Sequence, residues 1–456
     1  MTQTELLIIG GGPAGYVGAI RAAQLGMKVT LVEEKRIGGT CLNIGCIPTK
    51  SLLSHAGFIY GLKHPRTGVN ISSHTLDKNA IYAFKDSVVN KLTSGVETLV
   101  RSYGIDIKSG HASFTGKNQV KVGGETIEFK KAVIATGSKS IMPKFMSVEG
   151  FSVDSTFVLE HPEMGGKNIV IIGAGVIGCE LAFILNSFGS QVTMVEKMKT
   201  ILPTEDKDCI RAVESSLKNK GIKVLTDISV EKIEKGRITL SNNELIEADY
   251  CVVAVGRIPN TDGLDSAKAG VKIGEKKEIV IDNNFKTSNP DIYAVGDVTG
   301  SIQLAHYASA CACRVVVEIT GNKSPVPNIN AIPRVTYSIP ELASVGLTET
   351  QAKSSNVDYK VGRFSYAASG KAMSMDETEG MVKVLVDTND KIIGAAVVGA
   401  DADNLIVPFT MAIALGLTAS ELTTVVYPHP TLSEMILEAC EDVHNRAIHK
   451  AGRRRS

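Results

Sequence analysis

Short unbroken apolar runs punctuated by glycine recur along this chain: Leu6-Leu7-Ile8-Ile9, Ala132-Val133-Ile134, Ile169-Val170-Ile171-Ile172, Cys251-Val252-Val253-Ala254-Val255 and Ile292-Tyr293-Ala294-Val295. A strand with one wet face alternates apolar and polar residues, so unbroken runs predict parallel strands covered on both faces. Two windows share a longer pattern. Residues 6–33 and 169–196 align without a gap at an offset of 163. Each has an apolar strand, glycines spaced G-x-G-x-x-G, an Ala- and Leu-rich helical stretch, a break at Gly26 or Gly189, and a second strand ending in Glu33 or Glu196. From about Arg334 the pattern changes to alternating strand-like segments such as Met381-Val382-Lys383-Val384-Leu385-Val386, with helical stretches between and no nucleotide motif. The predicted fold is α/β, with two Rossmann-like dinucleotide-binding domains followed by a C-terminal α+β domain.

The 456 residues are too many for one ordinary core. A ratio of roughly 100–200 residues per domain gives three or four domains. With 49 basic against 48 acidic residues, the net charge of +1 offers no broad pull toward nucleic acid or anionic lipid. No apolar run approaches the roughly 20 residues that span a bilayer. The first strand begins almost at Met1 and leaves no room for an export signal, so the expectation is a cytoplasmic protein with neither a membrane nor a nucleic-acid partner.

In the two repeated units the glycines are Gly10, Gly12 and Gly15, and Gly173, Gly175 and Gly178. Such glycines let the backbone turn tightly and approach a pyrophosphate, while the helix N-terminus offers free N–H groups and a partial positive charge. The glutamate, 18 residues past the third glycine in both copies, is placed to accept hydrogen bonds from a ribose diol. Two units predict two dinucleotides. A carboxylate at Glu196 would repel the 2′-phosphate of NADP, so the second site favours NAD, although Lys197 and Lys199 lie close by.

Eight cysteines stand at 41, 46, 179, 209, 251, 311, 313 and 440. In a long, unexported chain this scatter is no disulfide framework. Cys311 and Cys313 have no matching second pair and no nearby histidine, and no metal is assigned. Cys41 and Cys46 lie in Gly38-Gly39-Thr40-Cys41-Leu42-Asn43-Ile44-Gly45-Cys46-Ile47-Pro48-Thr49-Lys50. A disulfide needs Cα atoms within about 7 Å, whereas i and i+5 on an ideal helix lie about 8.6 Å apart. A bond between them would need a distorted turn, which Gly45 can supply. If that turn leads into a helix, its N-terminus favours a thiolate. The spacing alone also fits two reduced core thiols.

Gly-Gly-Thr-Cys-Leu-Asn-Ile-Gly-Cys-Ile-Pro-Thr-Lys resembles the redox-active signature of the flavin-dependent disulfide oxidoreductases, and its Cys-Leu-Asn-x-Gly-Cys-Ile-Pro core is most similar to the dihydrolipoamide dehydrogenase branch. The similarity runs in order through essentially the whole chain. It implies that Cys41 is the interchange thiol that meets substrate and Cys46 the thiolate next to FAD, the two cycling through a disulfide. Lys50 would sit beside the isoalloxazine, paired with Glu180; a buried lysine without a partner would be costly.

The same resemblance implies one tightly bound FAD per subunit. Its site would comprise Gly10, Gly12, Pro13, Ala14, Gly15 and Glu33 from the first unit, Gly39, Thr40 and Lys50 from the thiol segment, and Ala112. Thr136, Gly137 and Ser138 would join it at the crossing toward the second unit, and Asp297 would hold the ribityl chain, followed by Gln303, Leu304, Ala305 and His306. NAD would take Gly173, Gly175, Val176, Ile177, Gly178, Glu180 and Glu196, with Gly256 at a second crossing. The implied domains are FAD 1–144, NAD 145–266, a return to the FAD or central domain 267–333, and dimerisation 334–456.

The dimerisation domain ends in Tyr427-Pro428-His429-Pro430-Thr431-Leu432-Ser433-Glu434. An imidazole titrates near neutrality and suits removal of a thiol proton, and a carboxylate such as Glu434 can orient it. By resemblance His429 reaches the flavin face of the other subunit of a homodimer, and the flanking prolines make a cis bond before Pro430 plausible. The implied reaction oxidises dihydrolipoamide, carried on the lipoyl domain of an acyltransferase or glycine cleavage carrier protein, and reduces NAD. A sibling reductase for glutathione, mercuric ion or another disulfide is the rival enzyme, and a non-catalytic flavoprotein subunit the rival of another class. Cys440 stands without the C-terminal partner cysteine of mercuric reductases. Ser369, Lys371 and Asn404 depart from the family's usual Asn, Arg and acidic residue, which bears on the choice of partner complex. Arg453-Arg454-Arg455 reads as a solvated tail.

Overall fold

The computed structural model describes residues 2–451, so the arginine tail lies outside the described residues. Among five sheets, three large ones organise the chain, the first mostly parallel, the second parallel and the third antiparallel. In the first, Asp106–Ser109, Val29–Glu33, Thr2–Ile9 and Glu125–Ile134 lie side by side in that order, all parallel. Ile292–Ala294 returns to pair with the end of Glu125–Ile134, nearly 300 residues from the first strand. Gln119–Val122 and Ala112–Gly116 extend the edge as an antiparallel meander. The second sheet repeats the scheme with Lys223–Leu225, Gln191–Val195, Asn168–Ile172, Tyr250–Val253 and Ser152–Val153.

The unbroken apolar runs are explained by this layering. Leu6 and Ile8 point into one core with the Pro13–Gln24 helix, whereas Leu7 and Ile9 point into another against Phe114, Val120 and Ile292. Ile169 and Ile171 likewise face one core and Val170 and Ile172 another. Both faces are dry, so period-two alternation has nothing to report. Each such side chain contributes about 1.5–3 kcal/mol when fully buried.

Where the chain passes between the two units, Ser138–Ser140 pairs antiparallel with Arg257–Pro259. The C-terminal region forms a five-stranded antiparallel sheet, in the order Arg334–Thr336, Glu341–Gly346, Ile392–Gly399, Met381–Val386, Lys360–Ser365. The Ala402–Leu415 and Glu434–Val443 helices pack on it through Ile406, Phe409, Met435 and Ile436. This is the expected α/β architecture with an α+β C-terminal part.

A buried ionic cluster fastens the second unit to the C-terminal sheet. Lys383, fully buried in the Met381–Val386 strand, places Nζ 2.7 Å from Asp206 and 2.9 Å from Asp208, and also against Glu349. Arg363 lies 3.2 Å from Asp208 and 2.7 Å from Glu349. These three carboxylates are close enough together to hold a metal ion, but the ammonium occupies their centre. Burial works against ionised Asp208 and Glu349, yet the Lys383 charge outweighs it and holds both carboxyls below their usual range. Their contribution to stability is therefore present above the ordinary carboxyl range and lost as pH falls through the depressed values. Replacing Lys383 by Met should lower stability by about 3–5 kcal/mol, because it strands three carboxylates together. Denaturant unfolding at neutral pH measures this, and a wild-type midpoint would contradict it.

Candidate active site

Each glycine loop divides its labour in the same way. Gly10 and Gly173 take φ of +106° and +101°, and a Cβ at either would meet a carbonyl oxygen at 2.3 or 2.5 Å, from Ala135 and Ala254. At Gly15 and Gly178 a Cβ would strike the carbonyls of Gly10 and Gly173 at 1.7 and 2.0 Å, so only glycine lets helix and strand pack there. The middle glycines differ. A Cβ at Gly12 would meet only Gly39 Cα, at 3.8 Å, and at Gly175 nothing within 4 Å. Both middle positions thus face open space in front of a helix N-terminus, as a pyrophosphate cradle requires. Pro13, Ala14 and Gly15 form the first turn of the Pro13–Gln24 helix, and Val176, Ile177 and Gly178 that of the Val176–Ser187 helix.

The two acidic residues are drawn into their own loops. Glu33 accepts from the Gly11 N–H at 2.6 Å and the Lys35 N–H at 2.8 Å; Glu196 accepts from the Ala174 and Met198 N–H groups, both at 2.7 Å. Each carboxylate oxygen retains a lone pair for a ribose hydroxyl.

The thiols stand where one helix breaks into another. Gly39–Ile44 is helical, Gly45 interrupts it with φ −143° and ψ −112°, and Cys46 begins the Cys46–Lys63 helix. Gly45 is thus the distorted turn expected between the cysteines. Asn43 steadies the short helix, donating to the carbonyls of Ile37 at 3.1 Å and Gly39 at 2.9 Å. Cys41 and Cys46 are neighbouring free thiols in this structure, close enough that each perturbs the other's ionisation. Their protons are held unequally. The hydrogen bond from Cys41, helped by the Lys50 charge and resisted by burial and Glu180, lowers Cys46 to about 7. The same hydrogen bond, and then burial, pushes Cys41 far up. The pair is therefore poised to lose its first proton from Cys46.

Lys50, one helical turn beyond Cys46, bridges both carboxylate oxygens of Glu180 at 3.0 and 2.9 Å. Glu180 is only 3% exposed and belongs to the Val176–Ser187 helix of the second unit.

At the crossing, Ser138 donates to Asp297 at 2.5 Å and receives Arg257 Nε at 2.7 Å, while Arg257 Nη2 reaches the Ser138 carbonyl at 2.7 Å. Thr136 donates to the Asn260 carbonyl, the Asn260 N–H returns to the Gly137 carbonyl, and Gly256 adopts φ +123°. Gln303 and Leu304 lead into the Ala305–Ile319 helix, where His306 faces the Pro333 carbonyl at 3.0 Å and burial depresses its pKa. Ala112 is buried on the edge meander, next to His111, which lies 3.6 Å from Glu34. Gly39 and Thr40 open the thiol-bearing helix beside Gly12.

Among the described residues, His429 makes no hydrogen bond to either thiol of its own chain. Its Nδ1 lies 2.9 Å from Glu434, the Thr431 N–H holds the other Glu434 oxygen at 2.8 Å, and the bond to Pro430 is cis. Partial burial opposes ionisation of Glu434, but the Thr431 N–H and His429 outweigh it and keep the carboxyl below its usual range. The His429 side chain is 81% exposed. Three further residues at the site were not assigned a role from the sequence: Arg257, half-buried against Ser138; Tyr337, whose ring covers Lys50; and Tyr16, near enough for the Cys41 charge to add to burial in raising its phenol.

Comparison with known proteins agrees with this geometry. Residues 4–312 match the family model described as pyridine nucleotide-disulphide oxidoreductase, and residues 332–440 match its dimerisation domain. The chain is 41% identical to a dihydrolipoyl dehydrogenase of Staphylococcus aureus, with 98% of each chain covered, and 40% identical to one of Geobacillus stearothermophilus, covering 98% and 97%. Among solved structures it resembles an HOCl-induced flavoprotein disulfide reductase from Escherichia coli, at 30% identity and a TM-score of 0.86 over 97% of this chain and 99% of that one. With open glycine cradles in both nucleotide units, a thiol pair at a helix junction and a matched dimerisation domain, the chain belongs to the pyridine nucleotide-disulphide oxidoreductase family.

Proposed function

We propose that this protein oxidises dihydrolipoamide to lipoamide and reduces NAD, acting as a homodimer on the lipoyl domain of an acyltransferase or glycine cleavage carrier protein. The observation that carries this reading is the pair of cysteines at the Gly45 helix break, with the Lys50–Glu180 bridge one helical turn beyond Cys46. Relatives named dihydrolipoyl dehydrogenase, about 40% identical over nearly their whole length, support the choice of substrate.

FAD and NAD are the cofactors of such enzymes; when bound, they supply the two-electron acceptor for the thiols and the final hydride acceptor. Gly10, Gly12, Pro13, Ala14, Gly15, Glu33, Gly39, Thr40, Lys50, Ala112, Thr136, Gly137, Ser138, Asp297 and Gln303 to His306 would hold FAD. NAD would lie on Gly173, Gly175, Val176, Ile177, Gly178, Glu180, Glu196 and Gly256. This reading divides the chain into FAD regions 1–144 and 267–333, an NAD region 145–266 and a dimerisation region 334–456. The open space at Gly12 and Gly175 fits both nucleotides, and Glu196 favours NAD over its 2′-phosphorylated counterpart.

In the catalytic cycle, His429 from one subunit accepts a proton from a dithiol bound at the other. The substrate sulfur attacks Cys41 of the oxidised pair, so that a substrate–Cys41 bond forms and Cys46 leaves as thiolate. The second substrate thiol then displaces Cys41, releasing lipoamide and leaving both cysteines reduced. Glu434 orients the imidazole and stabilises its charged form. Exposed His429, and uncovered Val407, Met411 and Leu415 along the Ala402–Leu415 helix, are what a second subunit would cover. No described helix is long and apolar enough to cross a membrane, and the proposed compartment is the cytoplasm. A sibling reductase acting on another disulfide would turn over that disulfide in preference to lipoamide.

Cys41→Ser should abolish dihydrolipoamide oxidation while the protein stays yellow; retained turnover would refute the dithiol relay. His429→Ala should reduce kcat by about 10²–10⁴-fold with the dimer intact, as loss of a general base predicts, and a wild-type rate would remove His429 from the mechanism. Steady-state assays with both nucleotides should favour NAD over NADP, and equal efficiencies would count against the role given to Glu196.

A further inference from the structure

Tyr337 follows the Arg334–Thr336 strand of the C-terminal sheet, yet it meets the thiol site twice. Its ring centre lies 4.4 Å from Lys50 Nζ, and its main-chain N–H donates to Glu180 at 3.1 Å. One residue thus grips both halves of the bridge, the cation with its aromatic face and the anion with its backbone. The segment carrying it is anchored on its far side. The Ile339 carbonyl accepts from Lys220 at 3.1 Å and from Ser216, both at the end of the Lys207–Asn219 helix, and Ser338 donates to the Pro340 carbonyl at 2.6 Å. The loop 337–340 is a strut between that helix and the bridge.

The strut bears on Cys46 because the two ends of the bridge act on it oppositely. Lys50 favours the Cys46 thiolate and Glu180 opposes it. A lysine has four rotatable side-chain bonds and would otherwise be free to turn its charge toward solvent. An ammonium over an aromatic face gains about 0.5–2 kcal/mol, enough to hold one orientation. The titratable and charged groups facing Cys46 are Cys41, Lys50, Glu180, Arg257 and the Tyr337 phenol. That phenol is pushed up to about 12 by burial, with help from Asp403, Glu341, Glu180 and Cys46, so it stays neutral and acts through its ring.

We propose that Tyr337 is a positioning residue of the thiol site: its ring and main-chain N–H lock the Lys50–Glu180 bridge in the orientation that directs the Lys50 charge at Cys46. This rests on the reading that Cys46 faces the flavin, and the readout separates the two. In the reduced holoenzyme, the long-wavelength absorbance of thiolate against flavin is titrated with pH for wild type, Tyr337→Phe and Tyr337→Leu. Phe keeps the aromatic face and should keep the midpoint. Leu should raise it by about half a unit to one unit, so that about three- to tenfold less thiolate remains below the midpoint. Tyr337→Met, also without a ring, should move it the same way and serves if the Leu protein does not fold. A midpoint shared by wild type and the ring-less variants would overturn this inference alone. A wild-type protein that binds flavin but shows no such band would overturn both this inference and the reading beneath it.

Discussion

The Lys50–Glu180 bridge is the contact on which the active-site geometry depends. Lys50 sits in the helix that starts at Cys46, Glu180 in the helix that follows the second glycine loop, and Tyr337 closes over the pair from the C-terminal sheet. All three parts of the chain therefore converge on one ion pair. A nearly buried carboxylate such as Glu180 is costly to leave uncompensated, so the pair enforces the mutual placement of the two nucleotide units. It also sets the electrostatic environment of Cys46, which makes docking of the units and ionisation of the thiol a single problem.

A second set of buried charges does for the frame what the bridge does for the site. Glu205, only 5% exposed, receives Arg334 at 3.1 Å and also Ser344, while its neighbour Asp206 joins the Lys383 cluster. The Lys207–Asn219 helix is consequently fixed to the C-terminal region at its start by carboxylates and at its end by Ser216 and Lys220. Against this rigid background His429 and Glu434 form a prearranged couple exposed to solvent. On the proposed reading, a second subunit supplies the surface on which this couple acts.

What could be read in the sequence was local. Unbroken apolar runs announced strands buried on two faces, the glycine spacing located both cradles, and the need for a bend between Cys41 and Cys46 pointed to Gly45. The Lys50–Glu180 pairing and the link between His429 and Glu434 came from resemblance, not from any pattern of hydrophobicity. Tyr337 and Arg257 were missed for a physical reason. Their contacts with Ser138, and with Lys50 and Glu180, join residues more than 100 positions apart, and an aromatic or basic residue beside a short strand looks the same whether it faces solvent or a neighbouring domain. Lys383 misled in a milder way: within Met381–Val386 it reads as the polar position of an alternating strand, yet it is fully buried because carboxylates from two other segments meet it.

The glutamates that end the second strand of each nucleotide unit are bonded to backbone amides of their own loops, Glu196 to Ala174 and Met198, and Glu33 to Gly11 and Lys35. Each loop is thereby shaped before any nucleotide arrives. If Glu196 sets coenzyme choice as proposed, that choice is tied to the support of the loop itself. Redesign toward a phosphorylated coenzyme could not succeed by exchanging Glu196 for a basic residue alone, because that change removes the acceptor for two amides along with the repulsive charge. A successful redesign would have to supply new support for the loop in the same step.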